Sequence, residues 1–548
     1  MANPVVMRRN FNVGHADAES DDLLLENCFV DSGDLALLVD CDNPKSLVLG
    51  RTGAGKTALL RQVERSVTNP ITLQPEALAL NYITNSGVLQ FFEAAGVQLD
   101  TFYTLLWRHI LAVELLKKKF QIYNERNQSE FLFSIKTLFS DNRAKERALA
   151  YLTQWGNKFW METQYRTQEF TKKLENELEA EAGVEIADVA KIGVKGVAKL
   201  SEEQKGQVVE AGQRVVNNVQ VKELGEVIDL LAHDIFNDKR ERYYILIDRL
   251  DEDWVDDRIR FKLIRALLDA IKTFRKIKSV KIIACLRTDL HYRVLKSITS
   301  PGFQSEKYTA LYHRIQWTRP QLMDLLDRRV NFQFKRQYSG AEVRLSDIMP
   351  PNQIGRRTTT EYMLDRTFFR PREAIIYLNE CIERSEGATK ISVSVIRSAE
   401  VKYSTDRLQA LTEEWRREYP ALRNTMRLLE KRNASFTINE FTRAEVEAFA
   451  DKFVSDSQNA KDPLFPVLER FFCNDGSIDL VSCLQEVMQV LYKVGVVGVK
   501  SDPQMARQWS MFDDALLTSG HPKPDATIAV HKAFWSALNI TPTTTADD

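Results

Sequence analysis

The stretch Gly50-Arg51-Thr52-Gly53-Ala54-Gly55-Lys56-Thr57-Ala58 follows an apolar run, Ser46–Leu49, and leads into an apolar-periodic helix. Three glycines at this spacing let the backbone take dihedrals that other residues resist, so successive N–H groups can turn inward around an anion. Lys56 adds a point charge and the Thr57 hydroxyl is placed to ligand Mg2+. The helix that follows aims the positive end of its dipole at the same anion. A strand before and a helix after separate this spelling from a chance match, and they predict a nucleoside triphosphate site lined by Gly50 through Ala58. No guanine-reading Asn-Lys-x-Asp motif stands at a suitable strand end, so ATP is the expected nucleotide, with Mg2+.

A second constellation centres on Asp248, 192 residues beyond Lys56. Arg242–Trp254 reads as an apolar strand that delivers Asp248, Asp251 and Glu252 at its C-terminal end, where open α/β sheets bind ligands. Asp248 is placed to hold the metal, directly or through water, and Asp251 or Glu252 could polarise an attacking water. Ser279–Leu286 is the next buried strand, with Arg287 or Thr288 at its tip as the candidate sensor of the γ-phosphate. Arg314 opens a further predicted strand, Arg314–Thr318, at the sheet rim, where it could reach a neighbouring subunit's nucleotide as an arginine finger. Arg370 and Arg372 bracket Pro371, which suits the first position of a helix, and either can face a nucleotide held between two domains. Each arginine also has a plainer reading: the end of a strand, a rim ion pair, or a helix-start partner of Glu373 or Glu383.

The elements that must position these groups exceed one domain, since 548 residues allow two to four. An ATPase core is expected over 1–120 and 241–330, split by a charged helical insertion over 121–240. Within the core, Pro70–Gln74 reads as a strand and Gly87–Phe120 as helix, anchored by Phe91, Phe92, Phe102, Tyr103, Leu106 and Trp107. Gly183–Leu200 reads as a hairpin or an amphipathic helix. A helical lid domain is expected over 331–420 and a winged-helix-like domain over 421–540, with Val490–Lys500 and Ala526–His531 among its strands. The tail 541–548 is expected to be disordered. The N-terminal segment Gly14–Asp22 could fold across a nucleotide base or serve as a packing arm.

Composition narrows the class. Apolar residues make up 44% and charged residues 28%, with a net charge of −1, so the chain offers no strong field toward nucleic acid or acidic membrane. Six scattered cysteines without a C-x-x-C pair favour reduced, mostly buried thiols. No apolar run reaches the roughly 18 residues of a membrane span, and the first residues lack the apolar core of a secretory signal. A cytoplasmic chain with no membrane association is expected. Residues 461–540 carry seven Lys/Arg against nine Asp/Glu, a poor balance for DNA phosphate contacts.

Loop, acidic strand, polar-tipped strand, rim arginine and bracketed proline stand in one order, and in that order the chain resembles the additional-strand P-loop ATPases of the AAA+ and STAND type. More narrowly, it resembles a bacterial family of uncharacterised P-loop ATPases with an Asp-Arg-Leu-Asp-Glu strand end, here Asp248–Glu252. That family's Gly-x-Ala-x-x-Glu/Asp opening is matched by Gly14–Asp21, its Arg-Pro-Arg lid by Arg370–Arg372, and its glycine-valine wing by Val494–Val499. The resemblance implies a three-layer α/β sandwich with a parallel sheet, and an ATP-hydrolysing switch that assembles as a homo-oligomer and acts with a protein partner or effector. Relatives of this general kind act in bacterial antiviral defence. One departure is that Arg249 occupies the position where AAA+ proteins usually carry the catalytic Glu. Two alternatives stand beside the switch. One is a DNA-handling AAA+ ATPase of the initiator or loader type, helped by the basic run Lys272, Arg275, Lys276, Lys278 and Lys281. The other is a nucleotide-dependent scaffold with negligible hydrolysis.

Overall fold

The computed structural model describes residues 6–542 apart from 16, 18–19, 76–85, 123–129, 131–132, 134–162, 183–193, 219–220, 253–256, 298–305, 338–341, 474–477 and 511–520. The chain divides into two compact units, one of residues 31–50 and 56–315, the other of 1–30, 51–55 and 316–548.

The first unit is built on five parallel strands: β1 (Leu47–Gly50), β2 (Pro70–Leu73), β3 (Tyr243–Ile247), β4 (Val280–Arg287) and β5 (Tyr312–Arg314). Their order is β2-β3-β4-β1-β5, so β4 lies between the strand that ends at Gly50 and the strand that ends before Asp248. Every residue of β1 and β3 is buried, and all of β4 but its last. Near-continuous apolar strands of this kind belong to a parallel sheet covered on both faces. The expected strand Arg314–Thr318 is corrected to Tyr312–Arg314: Ile315 N–H makes the last bond to the sheet, to Leu49 O at 2.9 Å. Further on, Thr318 N–H turns to the Gln321 side chain at 2.8 Å, which starts the next helix.

The helical pattern over Gly87–Phe120 is two helices, Gly87–Ala95 and Asp100–Phe120. Gly96, at φ +106, ends the first in the left-handed conformation that a Cβ disfavours. All six aromatic and leucine anchors are buried, and Trp107 donates its indole N–H to Leu263 O at 2.9 Å. Among the described residues of the charged stretch, the longer helices are Thr163–Ala182, Glu202–Asn218 and Val221–Leu230. Helix Glu202–Asn218 approaches the core closely enough that a Cβ on Gly212 would lie 2.6 Å from Val97. Of the ambiguous segment Gly183–Leu200, Val194–Val197 is helix, and 183–193 fall outside the described residues.

In the second unit, helices Arg319–Gln337, Thr359–Leu364, Pro371–Glu383 and Val393–Glu414 enclose one apolar core, with a small hairpin, β6 (Gln353–Ile354) and β7 (Arg357–Thr358). A second core gathers helices Arg443–Ser455, Phe465–Phe472 and Leu480–Val494 on an antiparallel sheet in the order β8-β10-β9. Its strands are β8 (Ser435–Phe436), β9 (Val497–Lys500) and β10 (Thr527–Val530). The run Val490–Lys500 is therefore half helix: the helix continues to Val494, stops at Gly495 with φ +91, and only then does β9 begin. The tail expectation falls almost wholly outside the described residues.

The N-terminal segment belongs to this second unit as a packed arm. Asp21 and Arg329, each 4% exposed at the side chain, pair at 2.6 Å. Asn379 accepts from Val13 N–H at 2.8 Å and donates to Gly14 O at 2.9 Å. Gly14 is required there, because it has φ +106 and an added Cβ would meet Leu24 at 2.3 Å. Among the described residues, no helix is long and apolar enough to cross a membrane.

Candidate functional site

The glycine loop is held by its carbonyls. Arg370 Nη1 donates to Thr52 O at 3.2 Å, Arg372 N–H to Gly53 O at 3.4 Å, and Trp317 Nε1 to Ala54 O at 2.8 Å. In a trans peptide the N–H points opposite to the C=O. Fixing these carbonyls on the protein side therefore turns the N–H groups of Gly53 and Gly55 to the other side. Gly53 (φ +77) and Gly55 (φ +96) take the left-handed dihedrals that such a turn needs. The fit over Gly53 is tight, since a Cβ there would lie 2.8 Å from Arg372 Cβ.

Arg370 is itself 4% exposed. Its guanidinium lies 3.7 Å from Glu373, which also pairs with Arg407 at 2.8 Å and accepts a short bond from the Tyr403 hydroxyl. The ring of Phe368 lies 4.9 Å from the guanidinium carbon, and burial lowers the pKa of the group. Among the described residues, Arg370 Nη2 and the neighbouring Thr52 Oγ1 are buried with no hydrogen-bond partner. A buried donor of this kind is costly to leave unmade, and at a glycine loop it suits an anion. Arg51 turns its side chain the other way, toward the C-terminal core, donating to Val494 O at 3.3 Å, Lys493 O at 3.2 Å and Ser510 Oγ at 3.0 Å.

In the unit with the parallel sheet, helix Lys56–Ser66 follows the loop in the chain. Lys56 is 9% exposed and donates to Gly50 O at 3.2 Å, while Thr57 and Ala58 are half-buried. Asp248 directly follows β3, and its carboxylate accepts from Arg249 N–H at 2.9 Å. Arg249 has φ +59, a left-handed conformation uncommon outside glycine, and it turns the chain so that Leu250 is buried while Glu252 is exposed. Arg249 Nε then lies 3.6 Å from Glu252. At the tip of β4, Arg287 binds Asp289 through two bonds of 3.0 and 2.9 Å and lies 3.8 Å from Asp251. The buried Cys285 thiol of β4 donates to Lys56 O at 3.8 Å. Burial pushes its pKa well up, Asp248 and Asp251 push it further, and Lys56 opposes. Lys56, Asp248 and Asp251 thus all act electrostatically on this one thiol of β4.

Arg314 is exposed at the end of β5, opposite Leu49 of β1. Burial, with a smaller contribution from Arg314, pulls His291 down to about 4. Thr288 begins the helix Thr288–Ser297. Of the basic run, Lys281 is buried and donates to Asp40 O at 3.0 Å, whereas Lys272, Arg275, Lys276 and Lys278 are exposed. Trp317 was not foreseen from the sequence. Its only signal is a tryptophan next to a rim strand, two residues before a helix.

Against known proteins, residues 320–412 match a family described as a FunZ-associated C-terminal helical domain. A protein of Escherichia coli (strain K12) described as a putative transposon gamma-delta 80.3 kDa protein is 21% identical over 542 residues, covering 96% of this chain and 67% of its own. No solved structure matches.

Proposed function

We propose that this protein is an ATP-binding P-loop switch of the additional-strand type, hydrolysing ATP with Mg2+ and acting with a protein partner, with antiviral defence as its setting. The observation that carries the reading is the row of carbonyls at Thr52, Gly53 and Ala54 held against Arg370, Arg372 and Trp317, which leaves the N–H groups of Gly53 and Gly55 to form an anion nest just before helix Lys56–Ser66 in the chain. The strand order lends support, because β4 between β1 and β3 is the additional strand that the resemblance implies.

In this reading Gly53, Gly55, Lys56 and Thr57 bind the phosphates, and the unpartnered Arg370 Nη2 or the side chain of Arg372 reads the γ-phosphate. Thr57, Asp248 and the phosphate oxygens form the hard oxygen set that suits Mg2+, which would neutralise charge on the phosphates when bound. Asp251, steadied by Arg287, or Glu252, drawn toward Arg249, orients the attacking water. Arg314 acts across a homo-oligomer. The helices of 331–420 serve as the lid, and the β8-β10-β9 region serves as a winged-helix-like module for protein contact.

The transposon wording of the E. coli relative favours a second reading, a DNA-handling ATPase. Against it, helix Leu480–Val494 buries most of one face and carries only Glu486 and Lys493 as charges, with Lys493 already paired to Glu418. Such a helix makes few phosphate contacts.

ATP turnover per subunit, measured across a wide range of protein concentration, tests the proposal. A rate that rises with concentration is expected, with Arg314→Ala flattening it. Glu252→Gln trapping bound ATP assigns the base to Glu252; loss only in Asp251→Asn transfers it. Absence of both turnover and ATP binding refutes the switch. DNA binding that weakens steeply with salt would favour the second reading.

A further inference from the structure

Arg51, expected from the sequence to line the nucleotide site, gives only its backbone to the loop, and its side chain bonds to the C-terminal core instead. Helix Leu480–Val494 ends at Gly495, and the carbonyls of its last turn have no partner within the helix. Gly495 N–H takes the carbonyls of Leu491 and Tyr492. The next two, Lys493 O and Val494 O, accept from the guanidinium of Arg51, at 3.2 and 3.3 Å. Ser510 closes the arrangement: it accepts from Arg51 at 3.0 Å and donates to Lys493 O at 3.1 Å, and it is 4% exposed. A cation at a helix C-terminus also meets the negative end of the dipole. The Arg51 side chain therefore caps the last carbonyls of a helix more than 440 residues away, and its own backbone is part of the loop.

The segment after that cap is the sheet itself. Val497–Lys500 form β9, and Trp509, next to Ser510, packs its ring on Gly498 so closely that a Cβ there would lie 2.6 Å away. Any change in the loop's backbone that swings Arg51 must uncap the helix at the point where it enters the sheet.

Resting on the ATP-binding reading, we infer that Arg51 is a positioning residue that couples nucleotide occupancy of the phosphate loop to the C-terminal three-stranded subdomain. The coupling is reciprocal: a partner that grips the subdomain and fixes the cap changes ATP affinity by the same factor that ATP changes partner affinity.

Hydrogen exchange of the full chain, with and without saturating ATPγS and Mg2+, tests this. In the wild type the peptides over 50–60 are expected to slow, and those over 491–500 and 505–510 to change at least threefold. In Arg51→Ala at saturating nucleotide the loop still responds while the C-terminal response is lost; Arg51→Lys gives an intermediate response. Ser510→Ala, which leaves the loop sequence intact, is expected to reduce the C-terminal response and stands in should Arg51→Ala fold poorly. A full C-terminal response in both variants, or none in the wild type beside a clear loop response, overturns the coupling. No loop response in the wild type overturns the ATP reading and the coupling together.

Discussion

The two units treat charge in opposite ways. At the strand tips of the parallel sheet, Asp248, Arg249 and Asp251 are half-buried and Glu252 is exposed, and the pairs Arg249–Glu252 and Arg287–Asp251 are loose, at 3.6 and 3.8 Å. In the other unit, Arg329 with Asp21, Arg366 with Glu400 and Arg407 with Glu373 are all nearly buried, at 2.6, 2.7 and 2.8 Å. Buried pairs add little net stability, but each fixes the geometry around it, because losing one partner strands the other. Carboxylates that can exchange partners suit a group that must meet a ligand and water; arginines locked in ion networks suit a frame that holds a loop. Each region also keeps a non-glycine residue in left-handed backbone at its key turn, Arg249 at φ +59 and Phe369 at φ +49.

The sharpest way to break this contrast is in the buried network. Glu373→Ala is expected to cost about 3–5 kcal/mol of stability by denaturant unfolding, since it removes the buried carboxylate beside Arg370 and leaves Arg407 with Glu414 alone; the equivalent loss at the strand tip, Glu252→Ala, should cost under about 1 kcal/mol. Equal costs would erase the distinction. Gly53→Ala should then weaken ATP binding by roughly 10- to 100-fold, from about 1–3 kcal/mol of backbone strain and the clash with Arg372. Unchanged affinity would mean that the loop is not held as described.

Acid offers a milder test. Burial, reinforced by Arg370 and other cations, holds His531 at about 3, against an ordinary 6.5, so it is neutral in the fold. The unfolded chain takes up that proton first, so stability is full above about pH 6.5 and is lost as pH falls toward 3. His531→Phe should flatten that slope in thermal melts between pH 6.5 and 4; an unaltered slope would place the acid sensitivity elsewhere. Smallest is Thr442→Ala, which removes the capping box with Glu445 at the start of helix Arg443–Ser455 and should cost about 1 kcal/mol.

Much of the sheet is legible in the sequence because β1, β2, β3 and β4 are apolar runs bounded by polar residues. The rim strand and the C-terminal strands are less so. β5 has three residues and β8 two, too few for a period to show, and the valine run before Gly495 is equally apolar as helix or strand. The site divides in the same way. Glycine spacing marks the loop, and a strand followed by acids marks Asp248. The groups that hold the loop come from 263 to 443 residues further on and leave no local pattern. Arg370 and Arg372 are visible only through the proline between them, and the turn of Arg51 toward Lys493 and Val494 is visible only in three dimensions.

The most direct test of the central claim is calorimetric titration of ATP with Mg2+ into wild-type protein and Lys56→Ala. One site per chain is expected in the wild type, weakened at least about 100-fold in the variant by loss of a charge-assisted contact to the phosphates. Equal affinity in the two proteins, with both folded, would contradict the assignment of the loop as the nucleotide site.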